Sequence, residues 1–152
     1  MKIVLVNPQI PQNTGNIARL SAATGSELHL IEPLGFELTD KYLKRAGLDY
    51  WKYVDWTVHE NWEEFTSSAA GSEGSLWFFS TKAERSYLSV NYSAQDSLVF
   101  GCETAGLAES FHQNYGKQRL GIKIDQPGVR SLNLANSVAV AVYEARRQLQ
   151  IS

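Results

Sequence analysis

Gly121-Ile122-Lys123-Ile124-Asp125-Gln126-Pro127-Gly128-Val129-Arg130-Ser131-Leu132-Asn133-Leu134-Ala135-Asn136-Ser137 is the stretch that decides how the rest of the chain is read. Gly121–Ile124 has the pattern of a short apolar strand, and Asp125–Gly128 that of a turn. From Ser131 or Leu132 a helix runs to Leu149. Leu134, Val138, Ala141, Val142, Ala145 and Leu149 fall on one of its faces. Polar side chains and free backbone N–H groups therefore crowd a helix mouth just past a strand's carboxyl end. Open α/β sheets place their ligands there.

Working outward, two more strands end in loops of unusual composition. Leu76–Phe79 leads into Ser80-Thr81-Lys82, and Leu98–Phe100 into Gly101-Cys102-Glu103-Thr104-Ala105-Gly106-Leu107. Parallel strands would bring all three loops to one sheet edge, where a crevice can form. Gly101 and Gly106 allow close backbone approach to a flat ligand, or positive φ in a plain turn. For that loop alone the turn is the better reading; three such loops together favour the crevice.

The remaining pattern alternates strand and helix. Ile3–Val6 is a strand, and Asn7-Pro8 and Pro11 mark a loop. A helix capped by Asn13 or Thr14 runs to Thr24 and stops at Gly25. Leu28–Ile31 is a strand closed by Pro33 and Gly35. Asp40 caps a short helix, Lys41–Ala46. A strand lies near Trp56–Val58, and Asn61 caps a helix through about Ala70. This order predicts an α/β fold in a single domain, 1–152, with a mostly parallel sheet and helices on both faces.

Bulk properties narrow the function. The chain has 152 residues, 43% apolar and 20% charged, with no apolar run of bilayer length. A strand directly after Met1 leaves no room for a signal peptide, and the lone Cys102 fits a reducing cytoplasm. A net charge of −2 argues mildly against a protein coated in nucleic acid. Lys41, Lys44 and Arg45 cluster, as do Arg146 and Arg147. Alone, each reads as a solvated face; in a dimer, paired patches add up to a basic surface.

Gly101 and Gly106 have phosphate-loop spacing, but Leu107 and Ala108 replace the required Lys and Ser/Thr, and no G-x-G-x-x-G follows the first strand. A ligand held by backbone groups and apolar walls, such as an adenosine, fits better. The first loop, Asn7–Asn16, is dense in amides. Asn16 and Arg19 share a helix face near an N-terminus, which suits an anion. Capping chemistry plus a surface arginine explains the same residues equally well. His29, His59 and His112 lack metal-ligand spacing with Cys102, so no metal site is expected. Cys102 has no evident base and reads as a small buried thiol. Trp51, Trp56, Trp62 and Trp77 could stack bases, though such residues more often serve core or interface.

Asn7–Arg19, Phe100–Leu107 and Val129–Ser137 resemble, in order, the three motifs of the SPOUT superfamily of RNA methyltransferases. Ile10–Ile17, Ile31–Phe36, Lys44–Tyr50, Phe100–Thr104 and Ser131–Asn136 look like signatures of the small tRNA 2′-O-methyltransferases acting on nucleotide 34. The resemblance spans nearly the whole chain. It implies a C-terminal trefoil knot, S-adenosylmethionine as cofactor, the tRNA anticodon stem-loop as substrate, and a homodimer with the last helix in its interface. Carried over residue by residue, it places Phe79, Ser80, Thr81, Gly101, Gly106, Leu107, Ile124, Ser131 and Leu132 at the cofactor. Arg19 would activate the 2′-hydroxyl from the dimer interface, with Asn16, Glu103, Ser131 and Asn133 positioning ribose or cofactor. Lys41, Lys44 and Arg45 are candidates for RNA phosphates. The departures are Asp125-Gln126, where a proline and a hydrophobic residue are usual, and Cys102, where proline is common. Methylation of ribosomal RNA and a non-catalytic RNA-binding module on the same fold remain the alternatives.

Overall fold

β1 (Lys2–Val6) has no polar alternation and is buried along its whole length. Such a strand needs cover on both faces. In the computed structural model, which describes residues 1–39, 41 and 50–151, β1 lies inside a six-stranded sheet. Its companions are β2 (Glu27–Ile31), β3 (Trp56–His59), β4 (Leu76–Phe79), β5 (Ser97–Phe100) and β6 (Arg119–Leu120). The order is β3-β2-β1-β5-β4-β6 and every pair is parallel. Among the described residues the α-helices are α1 (Pro11–Thr24), α2 (Trp62–Ser67), α3 (Ala69–Ser72), α4 (Glu109–Asn114) and α5 (Leu134–Gln148).

Side chains alternate between two cores. Ile3, Leu5, Leu28, Leu30, Leu98 and Phe100 pack with Ile17 and Ala18 of α1 and with Val138, Ala141, Val142 and Ala145 of α5. Val4, Val6, Ile31, Phe78 and Val99 pack on the other face with Phe65, Leu107, Trp62, Phe111 and Tyr115. From β1 the chain moves toward β2, and from β5 toward β6. The loops after β1 and β5 thus abut at the reversal point, where doubly wound sheets form a crevice.

Four boundaries differ from the sequence reading. α1 begins at Pro11, ahead of Asn13, because proline at the first helical position loses no needed N–H. It does end at Thr24, with Gly25 left-handed and donating to Ser21 O. The helix capped by Asn61 breaks at Ser68, whose hydroxyl starts a second cap by accepting from Gly71 N. The last strand is Arg119–Leu120, not Gly121–Ile124. Its partner β4 ends at Phe79 and turns away, leaving Gly121 only an isolated bridge to Ser86. α5 starts at Leu134, since Asn133 caps it by accepting from Ala135 N and Asn136 N.

The apolar stripe of α5 faces inward. Val138, Ala141, Val142 and Ala145 are fully buried within their own chain. That stripe is core, so it is not free for a partner; Val140 and Tyr143 are the large apolar residues of α5 left exposed. The expected Asp40 cap and Lys41–Ala46 helix, with Lys44 and Arg45, lie outside the described residues apart from Lys41, which is exposed. Among the described residues no helix is long and apolar enough to cross a membrane.

His29 and His59 are neighbours across β2 and β3. Both are buried, with His29 Nδ1 3.0 Å from His59 Nε2 and His29 Nε2 3.3 Å from Glu27 Oε2. Burial pushes both rings below the ordinary histidine value of 6.5. The unfolded chain therefore binds more protons than the folded one just below that value. Stability from the pair is complete above about pH 6.5 and is lost as pH falls through the depressed folded-state range. Melting temperature should drop from about pH 7 to about pH 5, and the slope should flatten in His29→Gln. An unchanged slope would disprove the coupling.

Candidate functional site

The loops that follow β4, β5 and β6 enclose a cavity of about 520 Å³. Its apolar wall is built from Phe79 and Phe100, stacked at 4.7 Å, with Leu107, Leu120, Ile122 and Ile124. Ser80, Thr81 and Lys82 border it on one side, Gly101–Gly106 on another, and Arg130–Leu134 on the third. All nine residues expected at a cofactor line this one space.

The β5 loop holds its shape through two glycines. Cys102 N donates to Gly106 O at 3.2 Å and Gly106 N to Cys102 O at 3.0 Å. Gly106 has φ +66°, and a Cβ on Gly101 would overlap the backbone of Gly106 and Leu107. Only glycine permits that approach at position 101.

A polar chain crosses from loop to loop. The Glu103 carboxylate accepts from Gln9 N at 2.8 Å, Ile10 N at 2.9 Å and Asn13 Nδ2 at 3.4 Å. Asn13 Oδ1 accepts from Asn133 Nδ2 at 3.0 Å, and Asn133 Oδ1 caps α5. Gln9 Oε1 returns the tie by accepting from Thr104 Oγ1 at 2.7 Å. Glu103 thus fastens the β1 loop to the β5 loop, and Asn13 links both to the start of α5. Charge-assisted bonds of this kind fix geometry well. Asn13 is buried and lines the cavity, although it is not among the site residues expected from sequence, where it serves as a cap within the Ile10–Ile17 signature. The amide-dense loop held the signal, but helical spacing favoured Asn16 and Arg19.

Asn16 and Arg19 point elsewhere. Both are exposed on α1 and neither lines their own chain's cavity. The Arg19 guanidinium lies 4.8 Å from the centroid of the Tyr50 ring. His112, passed over in the sequence, does border the cavity and meets Arg119 Nη1 through Nδ1 at 3.2 Å. Cys102 is half-buried at the cavity rather than buried in a core. The Asp125-Gln126 departure falls outside it: Asp125 pairs with Lys123 at 2.7 Å and Gln126 accepts from Gly128 N. Among the described residues no cluster of three His, Cys, Asp or Glu could hold a metal ion.

Residues 1–143 match the SpoU rRNA Methylase family. The chain belongs to that family. As a SpoU methylase it is 48% identical over 147 residues to the tRNA (cytidine(34)-2'-O)-methyltransferase of Polaromonas sp. (strain JS666 / ATCC BAA-500), covering 96% of this chain and 89% of that one. A solved structure from work on 2-OH methylation of C/U34 on tRNA superposes with a TM-score of 0.90 at 45% identity, covering 98% and 95% of the two chains. The fold extends to the SpoU methyltransferase AviRb of Streptomyces viridochromogenes, solved in complex with AdoMet, at 21% identity, a TM-score of 0.85, and 100% and 61% coverage.

Proposed function

We propose that this SpoU methylase transfers a methyl group from S-adenosylmethionine to the ribose 2′-hydroxyl of nucleotide 34, cytidine or uridine, in tRNA. What carries the reading is the convergence of three strand-end loops on one cavity, in a chain whose full-length relatives are named for this reaction. The cavity suits the methyl donor. It is large enough for a nucleoside with a short amino-acid arm, it has stacked aromatic and aliphatic walls, and it offers backbone amides but no phosphate loop. Phe79, Ser80, Thr81, Gly101, Gly106, Leu107, Ile124, Ser131 and Leu132 would hold it. When bound, it supplies a methyl carbon on a sulfonium together with its own neutral leaving group.

The chain's part is alignment and charge. In-line substitution forms an O–C bond, breaks the C–S bond and releases the hydroxyl proton. A guanidinium holds its proton too firmly to act as base. Arg19 instead grips the RNA backbone and stabilises negative charge as it develops on the 2′-oxygen, while the proton passes to a phosphate oxygen or water. Arg19 lies outside its own cavity, so it serves the cavity of a second copy, and the working unit is a homodimer. Asn16 lies beside Arg19 on the RNA side; Glu103 and Asn133 keep the loops in register, and Ser131, on the cavity wall, positions ribose or cofactor.

The same proposal takes residues 1–152 as one catalytic domain working in the cytoplasm, with the C-terminal segment threaded into a trefoil knot. Support for threading comes from both ends of that segment meeting the same loop. Gly121 N donates to Arg85 O, and Gln148 bonds Val90 O and Tyr92 N.

Incubating total tRNA and ribosomal RNA with the pure protein and S-adenosylmethionine, then mapping 2′-O-methyl marks, tests the reading. A new mark at position 34 of tRNA is expected. Marks confined to ribosomal RNA, as the family's name would favour, overturn the substrate; failure to bind S-adenosylmethionine in calorimetry leaves a non-catalytic module. Lys41, Lys44 and Arg45 are assigned to anticodon-stem phosphates. Lys44→Glu with Arg45→Glu should weaken tRNA binding about tenfold at low salt and flatten its salt dependence. An unaltered Kd would refute that assignment.

A further inference from the structure

Residues 50–56, Tyr-Trp-Lys-Tyr-Val-Asp-Trp, keep three large rings at the surface. Tyr53 is 65% exposed, Trp56 42% and Tyr50 39%. The 3₁₀ turn Trp51–Tyr53 gathers them: Tyr53 N donates to Tyr50 O at 2.8 Å, and Trp51 meets Trp56 edge-on with centroids 5.3 Å apart. Trp56 stands opposite Leu28 in the sheet register, so it shares the α1 side of the sheet. Cations sit over two of the rings. Arg19 Cζ is 4.8 Å from the Tyr50 centroid and Lys52 Nζ 4.9 Å from that of Tyr53.

Rings left in water forgo hydrophobic stabilisation, and a cluster of them marks a binding surface. Interleaved aromatics and cations are the chemistry that holds single-stranded nucleic acid: rings take base faces and cations take phosphates. A second protein copy seated here would have to bury Lys52, at a desolvation cost that an RNA phosphate offsets. Lys41, exposed nearby in sequence, adds to the same charge, while Asp55 is the single acid of the 50–56 segment. The surface also adjoins Arg19, the side chain assigned to the target ribose.

We propose that Tyr53 and Trp56, with Lys52, form a stacking platform for the unpaired bases next to nucleotide 34. This rests on the tRNA reading given above. Paired bases hide their faces within a duplex, so the platform distinguishes a loop from a helix, whereas lysine–phosphate contacts do not.

The test uses the full chain, a synthetic anticodon stem-loop RNA with cytidine at position 34, and a blunt RNA duplex of equal charge. Tyr53→Ala and Trp56→Ala should each weaken stem-loop binding about 5- to 100-fold and leave duplex binding unchanged. Tyr53→Phe should restore affinity, since stacking needs the ring and not the hydroxyl. Equal losses on loop and duplex, or no loss on either, overturn the platform. A changed oligomeric state of Tyr53→Ala in sedimentation also overturns it, by making the surface an interface between copies. Wild-type protein that leaves tRNA unmethylated removes the functional reading and the platform together. Wild-type activity with unaffected alanine variants removes the platform alone.

Discussion

Arg19→Ala should bind S-adenosylmethionine as tightly as the parent chain and turn over about a thousandfold more slowly on saturating tRNA. The two halves of that expectation come from separate observations. Arg19 is exposed and borders none of the cavity of its own chain, so its removal leaves the cavity walls intact. The slow half follows from chemistry. Losing one preorganised donor to a developing oxyanion costs roughly 10²–10³ in rate. Arg19→Lys should recover little, because a point charge cannot reproduce a planar fork. Calorimetry with the cofactor and single-turnover methylation measure the two halves separately. Unchanged turnover would take Arg19 out of the mechanism.

Gly101→Ala should do the opposite, cutting S-adenosylmethionine affinity by about a hundredfold while leaving Arg19 in place. A methyl group at position 101 collides with the backbone of Gly106 and Leu107, which cannot swing aside as a side chain could. Relief requires opening the Cys102–Gly106 ladder and displacing one cavity wall. Gly106→Ala is the milder control. Nothing lies within 4 Å of its added carbon, so only its left-handed φ of +66° is penalised. That strain is about 1 kcal/mol, near a fivefold effect. Equal affinities for the two alanine variants would mean that the loop is not a cofactor wall.

The pair of variants also tests the proposal that two copies share one site. If the proposed homodimer forms, mixed dimers would join an intact cavity from the Arg19→Ala chain to an intact arginine from the Gly101→Ala chain. At a cofactor concentration too low to load the Gly101→Ala cavity, activity should reappear on mixing the two proteins. A monomer that remains active would abolish the arrangement.

Much of this site was legible in the sequence because its signals are local. Strand-end loops rich in glycine and hydroxyls announce themselves, and Phe79, Gly101, Gly106 and Ser131 needed only parallel strands to be brought together. Non-local ties were harder to see. Asn13 and Asn133 are 120 positions apart, and no spacing rule links them. The apolar face of α5 looked the same whether it met a partner or the chain's own sheet, since periodicity reports burial and not the identity of the cover. Strand length was misjudged at Gly121–Ile124 because pairing depends on where β4 stops, which lies forty residues away.

α5 serves two masters. Its amino end holds Asn133 at the cavity, its flank fills the interior, and its carboxyl end is lashed down through Gln148. On the proposed function, a methyl donor that steadies Asn133 at the cavity should steady the C-terminus through the same helix. Heat or protease acting at the tail should be felt first as lost catalysis, and saturating ligand should shield the tail from both.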